Sequence, residues 1–345
     1  METAVREKYS GLLQMYQLKP DYFENYGNVT KVYTNQGAYA LKKINHDRMS
    51  RNPFMRHIQM LTEKGFTHYA PIYHTQDGRY VLYDEENSYY LMPWLEQMDQ
   101  SSDENDRYHK MFRTLALMHQ KTQREETINE KMITQHYEVI QKRWEEERNG
   151  LDQFLTGCES SWYMSPFELQ FVSHYHHVMR AHEFATKKME QWYEAMKEKE
   201  KTRVSLIHGN LSSQHFLFDY QRNGYFISLE NSGYSSPITD LVTFYLRTFQ
   251  TYPVARNDRY EWFQEYEKNF PLQQEEKTLM LGYMAYPQKF INQVIRYSNT
   301  ENARDERNEL SHAKLLQHSE WLISNTEYFI TQLQAAEQQA EQSQQ

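Results

Sequence analysis

The side chains that could carry out chemistry are concentrated between residues 206 and 241. They are, in chain order, His208, Gly209, Asn210, His215, Ser228 and Glu230. An asparagine amide keeps the shape of aspartate but cannot accept a proton at neutral pH. Imidazole and a neutral hydroxyl are poor ligands for Mg²⁺, which prefers charged oxygen atoms. Glu230 is therefore the carboxylate of this set that could act on a proton or a metal ion.

Short strands and turns must position these side chains. Residues 206–207 and 216–218 are apolar, and Asn223-Gly224 marks a hairpin turn before a strand that runs to Leu229. Because strand side chains alternate between faces, Ser228 and Glu230 are expected on the same face. A helix is predicted to begin near Asp240, which could cap it and hold the 208–215 loop through backbone hydrogen bonds.

The N-terminal part of the sequence predicts a hairpin followed by a helix. Residues 29–34 and 39–44 are strand-like and flank the turn Asn35-Gln36-Gly37. Asn52-Pro53 is typical of a helix start, and Gly65 is typical of a helix end. Lys42 lies on the second strand of the hairpin, where a solvated lysine is the ordinary interpretation.

The segment around residue 208 resembles the catalytic segment of the aminoglycoside phosphotransferase and choline kinase-like proteins, an offshoot of the protein kinase fold. That family has His-Gly-Asp, an Asn five residues later, Ile-Asp on a strand, and Pro-x-x-Asp-Leu. The matching residues here are His208, Gly209, Ile227, Pro237, Asp240 and Leu241. The resemblance implies an α+β, bilobal protein kinase-like fold, with a small antiparallel-sheet N-lobe and a mostly helical C-lobe.

The residues that carry the chemistry in that family are replaced in this chain. Asn210 stands where the resemblance places the catalytic Asp, His215 replaces the metal-binding Asn, and Ser228 replaces the metal-binding Asp. Loss of proton transfer alone removes roughly 10²–10⁴ in rate, and loss of metal neutralisation adds to the defect. The loop-shaping residues His208, Gly209 and Asp240 are kept. The site is therefore predicted to be degenerate, with Glu230 as a possible replacement.

The resemblance also implies a nucleotide contact. In the family a lysine in an Ala-x-Lys motif contacts the nucleotide phosphates, and Ala40-Leu41-Lys42 fits that motif. A glutamate on the following helix often pairs with this lysine. Glu63 is the acid on that helix, but it lies in the last turn, which does not favour the pairing.

The C-terminal part of the sequence is predominantly helical. A capping box from Ser165 to Glu168 predicts the start of a long helix with one apolar face. His174, His177 and His182 lie on it without a nearby carboxylate or cysteine in a ligand pattern, so no metal site is predicted. A further helix is predicted over residues 274–297.

Domain boundaries follow from composition and from the resemblance. Residues 1–95 are predicted to form the kinase-like N-lobe, and the polar run from Glu96 to Asp106 marks the boundary. Residues 96–333 are predicted to form the helical C-lobe, which contains the degenerate loop. Residues 334–345 form a polar tail of low complexity.

Composition excludes several classes of function. The 345 residues carry a net charge of −9 without a basic run, so nucleic acid is not an expected partner. Cys158 is the single cysteine, which rules out an intramolecular disulfide. No run approaches the length of a membrane span, and the first residues do not resemble a secretory signal. No membrane association is therefore expected.

The overall resemblance, from about Tyr16 to about Tyr328, is to the kinase-like spore coat proteins of the CotS and YsxE type. It implies synthesis in the mother-cell cytoplasm of a sporulating bacterium, incorporation into the spore coat, and other spore coat proteins as partners. The sequence thus predicts a pseudokinase with a structural or scaffold role and without a cofactor. One alternative is an atypical small-molecule phosphotransferase that uses ATP and Mg²⁺ with Glu230, Asp219 or a different metal geometry. Another is a regulatory module that binds ATP through Lys42 without turnover.

Overall fold

The computed structural model describes residues 2–45, 53–84, 86–96, 104–251 and 255–343. The described strands are β1 (Pro20–Tyr26), β2 (Val29–Thr34), β3 (Gly37–Asn45), β4 (Leu82–Tyr83), β5 (Asn87–Pro93), β6 (Arg124–Thr127), β7 (Lys201–Ile207), β8 (Phe216–Phe218), β9 (Gly224–Phe226) and β10 (Gly233–Ser235). The described helices are α1 (Glu2–Gln14), α2 (Phe54–Glu63), α3 (Glu104–Thr122), α4 (Glu130–Ser160), α5 (Pro166–Met196), α6 (Ile238–Phe249), α7 (Asp258–Asn269), α8 (Gln274–Ala285), α9 (Gln288–Ser298) and α10 (Glu306–Ser343).

The chain divides into two compact units. The first consists of Met1–Thr122 and Leu206–Tyr234, and the second of Gln123–Ser205 and Ser235–Gln345. The degenerate loop thus belongs to the same unit as the N-terminal sheet. The lobe boundary at residues 95 and 96 stays a prediction.

The first unit is built on a five-stranded antiparallel sheet with the order β1-β2-β3-β5-β4. The predicted β2–β3 hairpin is confirmed, and Gly37 at its turn has a φ of +124°, which favours glycine. Strand β1 was not expected, because Pro20 and several polar residues mask its pattern. Its position at the sheet edge tolerates them.

Helix α2 follows the predicted boundaries at both ends. Pro53 occupies the N-cap position, whereas Asn52 lies outside the described residues. Gly65 has a φ of +67°, and the Phe66 N–H donates to the Leu61 carbonyl at 2.9 Å. This left-handed glycine ends the helix and satisfies one of its last carbonyl groups.

The second unit is mostly helical, and β6 pairs with β7 in it. The predicted capping box opens α5: Ser165 Oγ accepts the Glu168 N–H at 3.2 Å, and the Glu168 carboxylate accepts the Ser165 N–H at 2.8 Å. The predicted apolar face is buried. This helix therefore forms where both its start signal and its hydrophobic period indicate.

One other helix prediction needs correction. The helix predicted over residues 274–297 is two helices, α8 and α9, because Pro287 lacks an N–H and holds Tyr286 in an extended conformation. Helix α10 continues to Ser343 and so includes residues 334–343 of the polar tail.

The histidines of α5 make separate contacts. His182 is buried with Nε2 at 3.1 Å from the Trp144 carbonyl, and His177 Nε2 lies 2.8 Å from Glu327. No group of three or more His, Cys, Asp or Glu side chains that could hold a metal ion occurs within the described ranges. Across those same ranges, no helix is both long and apolar enough to cross a bilayer.

Candidate functional site

His208 joins the loop that follows β7 to the end of the β8–β9 hairpin. Its Nε2 donates to the Ile227 carbonyl at 2.8 Å, and its Nδ1 accepts the Asn210 N–H at 3.2 Å. The Ile227 N–H in turn donates to the His215 carbonyl at 3.0 Å. These bonds fix one neutral tautomer of His208 and hold Asn210 and His215 against the hairpin.

Gly209 is required by its backbone conformation and by its surroundings. Its φ is +73°, in the left-handed region. A Cβ atom at this position would lie 2.1 Å from the Asn231 carbonyl oxygen, a backbone atom that cannot move away easily. The loop therefore rests directly on the short 3₁₀ turn Leu229–Asn231.

Ser228 and Glu230 do not lie on a strand, so the predicted alternation of faces is wrong. Strand β9 ends at Phe226, and Ser228 has the left-handed values φ 64° and ψ 43°. A residue in that region breaks the pleat and starts the 3₁₀ turn that carries Glu230. Both side chains nevertheless reach the same partner.

That partner is Lys42 on β3. Its Nζ lies 2.6 Å from Ser228 Oγ and 2.7 Å from Glu230 Oε1. Tyr90, which faces Lys42 across the β3–β5 ladder, donates its hydroxyl hydrogen to the same carboxylate oxygen. The Lys42 side chain is 14% exposed and the Glu230 side chain 8%. These four side chains form a buried network that we call the Lys42 network.

The Lys42 network favours an ionised carboxylate. Burial acts to raise the pKa of Glu230, but the Lys42 ammonium and the hydrogen bonds from Lys42 and Tyr90 outweigh it, so the pKa lies below its ordinary value. Burial, followed by the nearby Glu230 charge, raises the pKa of Tyr90 well above its ordinary value. At neutral pH, Tyr90 is therefore a neutral donor and Glu230 is an anion held by Lys42.

His215 is neutral in this environment. Burial, followed by the neighbouring His208, lowers the pKa of His215 from 6.5 to about 4. Its Nδ1 lies 2.7 Å from the Asn210 carbonyl oxygen, which can only accept, so Nδ1 carries the proton. The second ring nitrogen is consequently an acceptor, and His215 supplies no positive charge at neutral pH.

Five residues predicted for the site come together in one cavity of about 410 Å³: Lys42, Asn210, His215, Ser228 and Glu230. Further amide side chains line it, namely Asn28, Asn45, Asn87 and Asn231. The cavity is therefore rich in neutral hydrogen-bonding groups.

Three other predicted residues lie elsewhere. Asp219 is in the β8–β9 turn and lines a different groove. Glu63 is exposed and accepts a hydrogen bond from Gln59. Asp240 is fully buried in the second unit, in the first turn of α6, whose N-cap position is taken by Pro237. Its predicted contact to the 208–215 loop stays a prediction.

Solved structures share this fold. An aminoglycoside phosphotransferase from Alicyclobacillus acidocaldarius matches with a TM-score of 0.71 at 15% identity, over 94% of this chain and 95% of that chain. Spectinomycin phosphotransferase, in complex with ADP and spectinomycin, matches with a TM-score of 0.56 at 12% identity, over 92% of this chain and 98% of that chain. A microcompartment-associated aminopropanol kinase matches with a TM-score of 0.55 at 14% identity, over 94% of this chain and 98% of that chain.

This chain shares the kinase-like fold of these phosphotransferases. The predicted kinase-like α+β fold class is thereby confirmed. No protein-family model matches the sequence, and no curated protein matches it significantly. The likeness therefore rests on structure and establishes the fold alone.

The residues that line the Lys42 cavity do not fit a bound Mg²⁺ ion. The ion prefers near-octahedral coordination by oxygen atoms, usually including carboxylates. The cavity offers the Asn210 amide, the neutral His215 ring and the Ser228 hydroxyl, and the Glu230 carboxylate is already bound to Lys42. The donor set is too weakly charged to replace the hydration of a hard cation.

One member of the Lys42 network was missed by sequence reasoning. Tyr90 lies where the sequence predicts a strand from Ser88 to Met92 that continues into a linker between lobes, and the strand is confirmed as β5 (Asn87–Pro93). The signal was the continuous apolar run from Tyr89 to Met92, which is typical of a buried strand. Its pairing with Lys42 depends on the β3–β5 neighbourhood, and sequence order alone does not reveal that neighbourhood.

Proposed function

We propose that this protein is a pseudokinase that keeps the kinase-like fold without catalysing phosphoryl transfer. We propose further that it is a structural or scaffold component of the bacterial spore coat. The observation that carries the first part is the Lys42 network, in which Glu230 and Ser228 occupy the ammonium group at 2.7 and 2.6 Å.

The Lys42 network opposes nucleotide binding through its energetics. A phosphate that displaced Glu230 from Lys42 would leave the buried carboxylate with Tyr90 as its remaining partner in this network. Breaking a buried ion pair in this way typically costs about 3–5 kcal/mol, because one charge stays desolvated and without its counterion. A metal ion would offset that cost, but the cavity lacks the donors to hold one. Both ATP-dependent alternatives meet this penalty unless the phosphate uses the third hydrogen of the Lys42 ammonium group and leaves the ion pair intact.

The chemistry of the loop supports the same proposal. Asn210 stands at the position of the catalytic aspartate of the resembled family and cannot accept the proton of a substrate hydroxyl. Glu230 is the carboxylate of the cavity, and its charge is already neutralised by Lys42. Asp219, the other candidate of the phosphotransferase alternative, does not line the cavity.

The coat part of the proposal is supported by the sequence resemblance to spore coat proteins of the CotS and YsxE type. We propose synthesis in the mother-cell cytoplasm, assembly into the coat, and binding to other coat proteins. A fluorescent fusion in a sporulating host that carries the gene tests this. A signal that surrounds the forespore supports the proposal, and a signal that stays diffuse in the mother cell after coat assembly contradicts it.

A thermal shift of the full chain with ATP, with and without Mg²⁺, tests the loss of nucleotide chemistry. A ligand at 100 times its Kd stabilises the native state by about 2.7 kcal/mol, which is easily measured. We expect no shift at millimolar ATP. A Mg²⁺-independent shift that Lys42→Met abolishes would favour the regulatory ATP-binding module. A Mg²⁺-dependent shift that Glu230→Gln abolishes would favour the phosphotransferase.

A further inference from the structure

The first unit carries a second cavity that shares no lining residue with the Lys42 cavity. It is an open groove of about 620 Å³ between the end of β5 and the β8–β9 hairpin. Its walls include the rings of Tyr69, Trp94, Tyr220 and Tyr225, and its polar groups include the carboxylates of Glu96 and Asp219. Tyr220 is 92% exposed, so its ring is accessible to a partner.

The backbone of the groove is already paired. The Glu96 N–H donates to the Phe218 carbonyl at 3.1 Å, and the Phe218 N–H donates back at 2.9 Å. On the other side of the hairpin, Ala70 donates to Phe226 at 2.8 Å and Phe226 to His68 at 2.9 Å. A ligand cannot add as a β-strand here, since these backbone groups have their partners. Recognition must therefore use rings and carboxylates.

The groove carries two carboxylates, and no lysine or arginine is among its lining residues. Lys31 lies at its edge, with Nζ 4.5 Å from the centre of the Trp94 ring. Burial acts to raise the pKa of Asp219, but hydrogen bonds from Asn223, Tyr225 and the turn backbone lower it below the ordinary value. No salt-bridge partner of Asp219 is found in the described part of the chain. The Glu96 side chain is 71% exposed, and its Oε1 lies 3.7 Å from Lys31 Nζ.

We propose that this groove binds an extended, proline-rich segment of a partner protein that carries lysine or arginine. A polyproline II segment leaves its backbone hydrated, so it needs none of the backbone groups that the groove lacks. Its rings and methylene groups pack against aromatic walls. Its cations interact with the Asp219 carboxylate and with the exposed ring face of Tyr220.

The groove gives a scaffold protein a docking surface, and its use does not require an inactive Lys42 cavity. The two proposals therefore fail independently. Detection of phosphoryl transfer would overturn the pseudokinase and leave the groove untouched, and a failed peptide titration would do the reverse.

Fluorescence anisotropy with the full chain and three labelled peptides tests the proposal. One peptide repeats Pro-x-x-Pro with flanking arginines, the second has glutamates in place of the arginines, and the third has alanines in place of the prolines. We expect the first peptide to bind at least about tenfold more tightly than the other two, which corresponds to about 1.4 kcal/mol.

Variants locate the binding. Tyr220→Ala should weaken the first peptide about tenfold, as removal of an exposed aromatic anchor does. Asp219→Asn keeps the acceptor oxygen of the turn and should weaken binding a few-fold at low salt, an effect that shrinks at high salt. Tyr163→Ala is the matched control, because Tyr163 is 80% exposed and lies in the second unit. It should leave binding unchanged.

Three outcomes would overturn the proposal. The first is no binding of the first peptide at about 1 mM, a concentration that detects interactions of about −4 kcal/mol. The second is equal affinity for the basic and the acidic peptide. The third is an equal loss of peptide affinity in Tyr220→Ala and Tyr163→Ala. Tyr220 lies at the surface, so the first variant is expected to fold, and its melting temperature provides the check.

Discussion

Replacement of Glu230 by glutamine would leave the Lys42 ammonium buried without an anionic partner. The two groups are 2.7 Å apart with side chains only 14% and 8% exposed, so salt screens the pair weakly. Removal of one member of a buried pair typically costs about 3–5 kcal/mol. The partial exposure of Lys42 places the expected loss near the lower end, at about 3 kcal/mol. For a chain of this size that lowers the melting temperature by about 4 °C.

A double-mutant cycle separates the pair from its surroundings. Lys42→Met should cost about as much as Glu230→Gln, because it leaves the carboxylate without its cation. The double variant should lose less than the sum of the two, with a coupling free energy of about 2–3 kcal/mol. Thermal and urea unfolding, followed by circular dichroism, measure the four proteins.

An exposed ion pair is the matched control. Lys201 and Glu125 are 3.0 Å apart, but their side chains are 63% and 69% exposed. Lys201→Met should change the free energy of unfolding by less than about 1 kcal/mol. Additive losses in the Lys42–Glu230 cycle, or losses no larger than in this control, would refute the buried-pair reasoning.

Two further predictions concern the backbone frame of the cavity and the protonation of His215. Gly209→Ala should destabilise the protein by about 3 kcal/mol in urea unfolding, since it combines a left-handed residue with a clash against the Asn231 carbonyl. Gly233→Ala, with no atom within 4 Å of its added Cβ and no positive φ, should cost less than about 1 kcal/mol. Burial lowers the pKa of His215 from 6.5 to about 4, so protonation favours the unfolded state. The free energy of unfolding that the neutral His215 ring contributes is therefore complete above pH 6.5 and is lost as the pH drops toward 4. His215→Asn should reduce the change in the free energy of unfolding between pH 4 and 6.5 by about 2 kcal/mol, a value that allows for the partial exposure of the ring. An unchanged pH dependence of urea unfolding would contradict a lowered pKa of His215.

Much of the fold could be predicted because its signals are local. The β2–β3 hairpin follows from a turn sequence, the start of α5 from a capping box, and the end of α2 from Gly65. Strand β1 escaped because an edge strand tolerates proline and polar residues. The break between α8 and α9 could have been predicted from Pro287.

The composition of the site was predictable, but its geometry was not. The replacements at Asn210, His215 and Ser228 follow from the spacing of the motif. The left-handed conformation of Ser228 has no sequence signal, since serine is not enriched in that region of backbone conformation. This conformation starts the turn that directs Glu230 toward Lys42. Tyr90 joins the network through strand pairing between distant segments, which no local pattern encodes.

The most direct measurement of the proposed loss of phosphoryl transfer is ADP formation by the full chain with ATP, Mg²⁺ and a panel of small hydroxylated acceptors. We expect ADP to form at the rate of protein-free buffer, both in the unmutated chain and in Glu230→Gln. A Mg²⁺-dependent rate above buffer that disappears in Glu230→Gln would show that the cavity is catalytic, and the pseudokinase proposal would then be wrong.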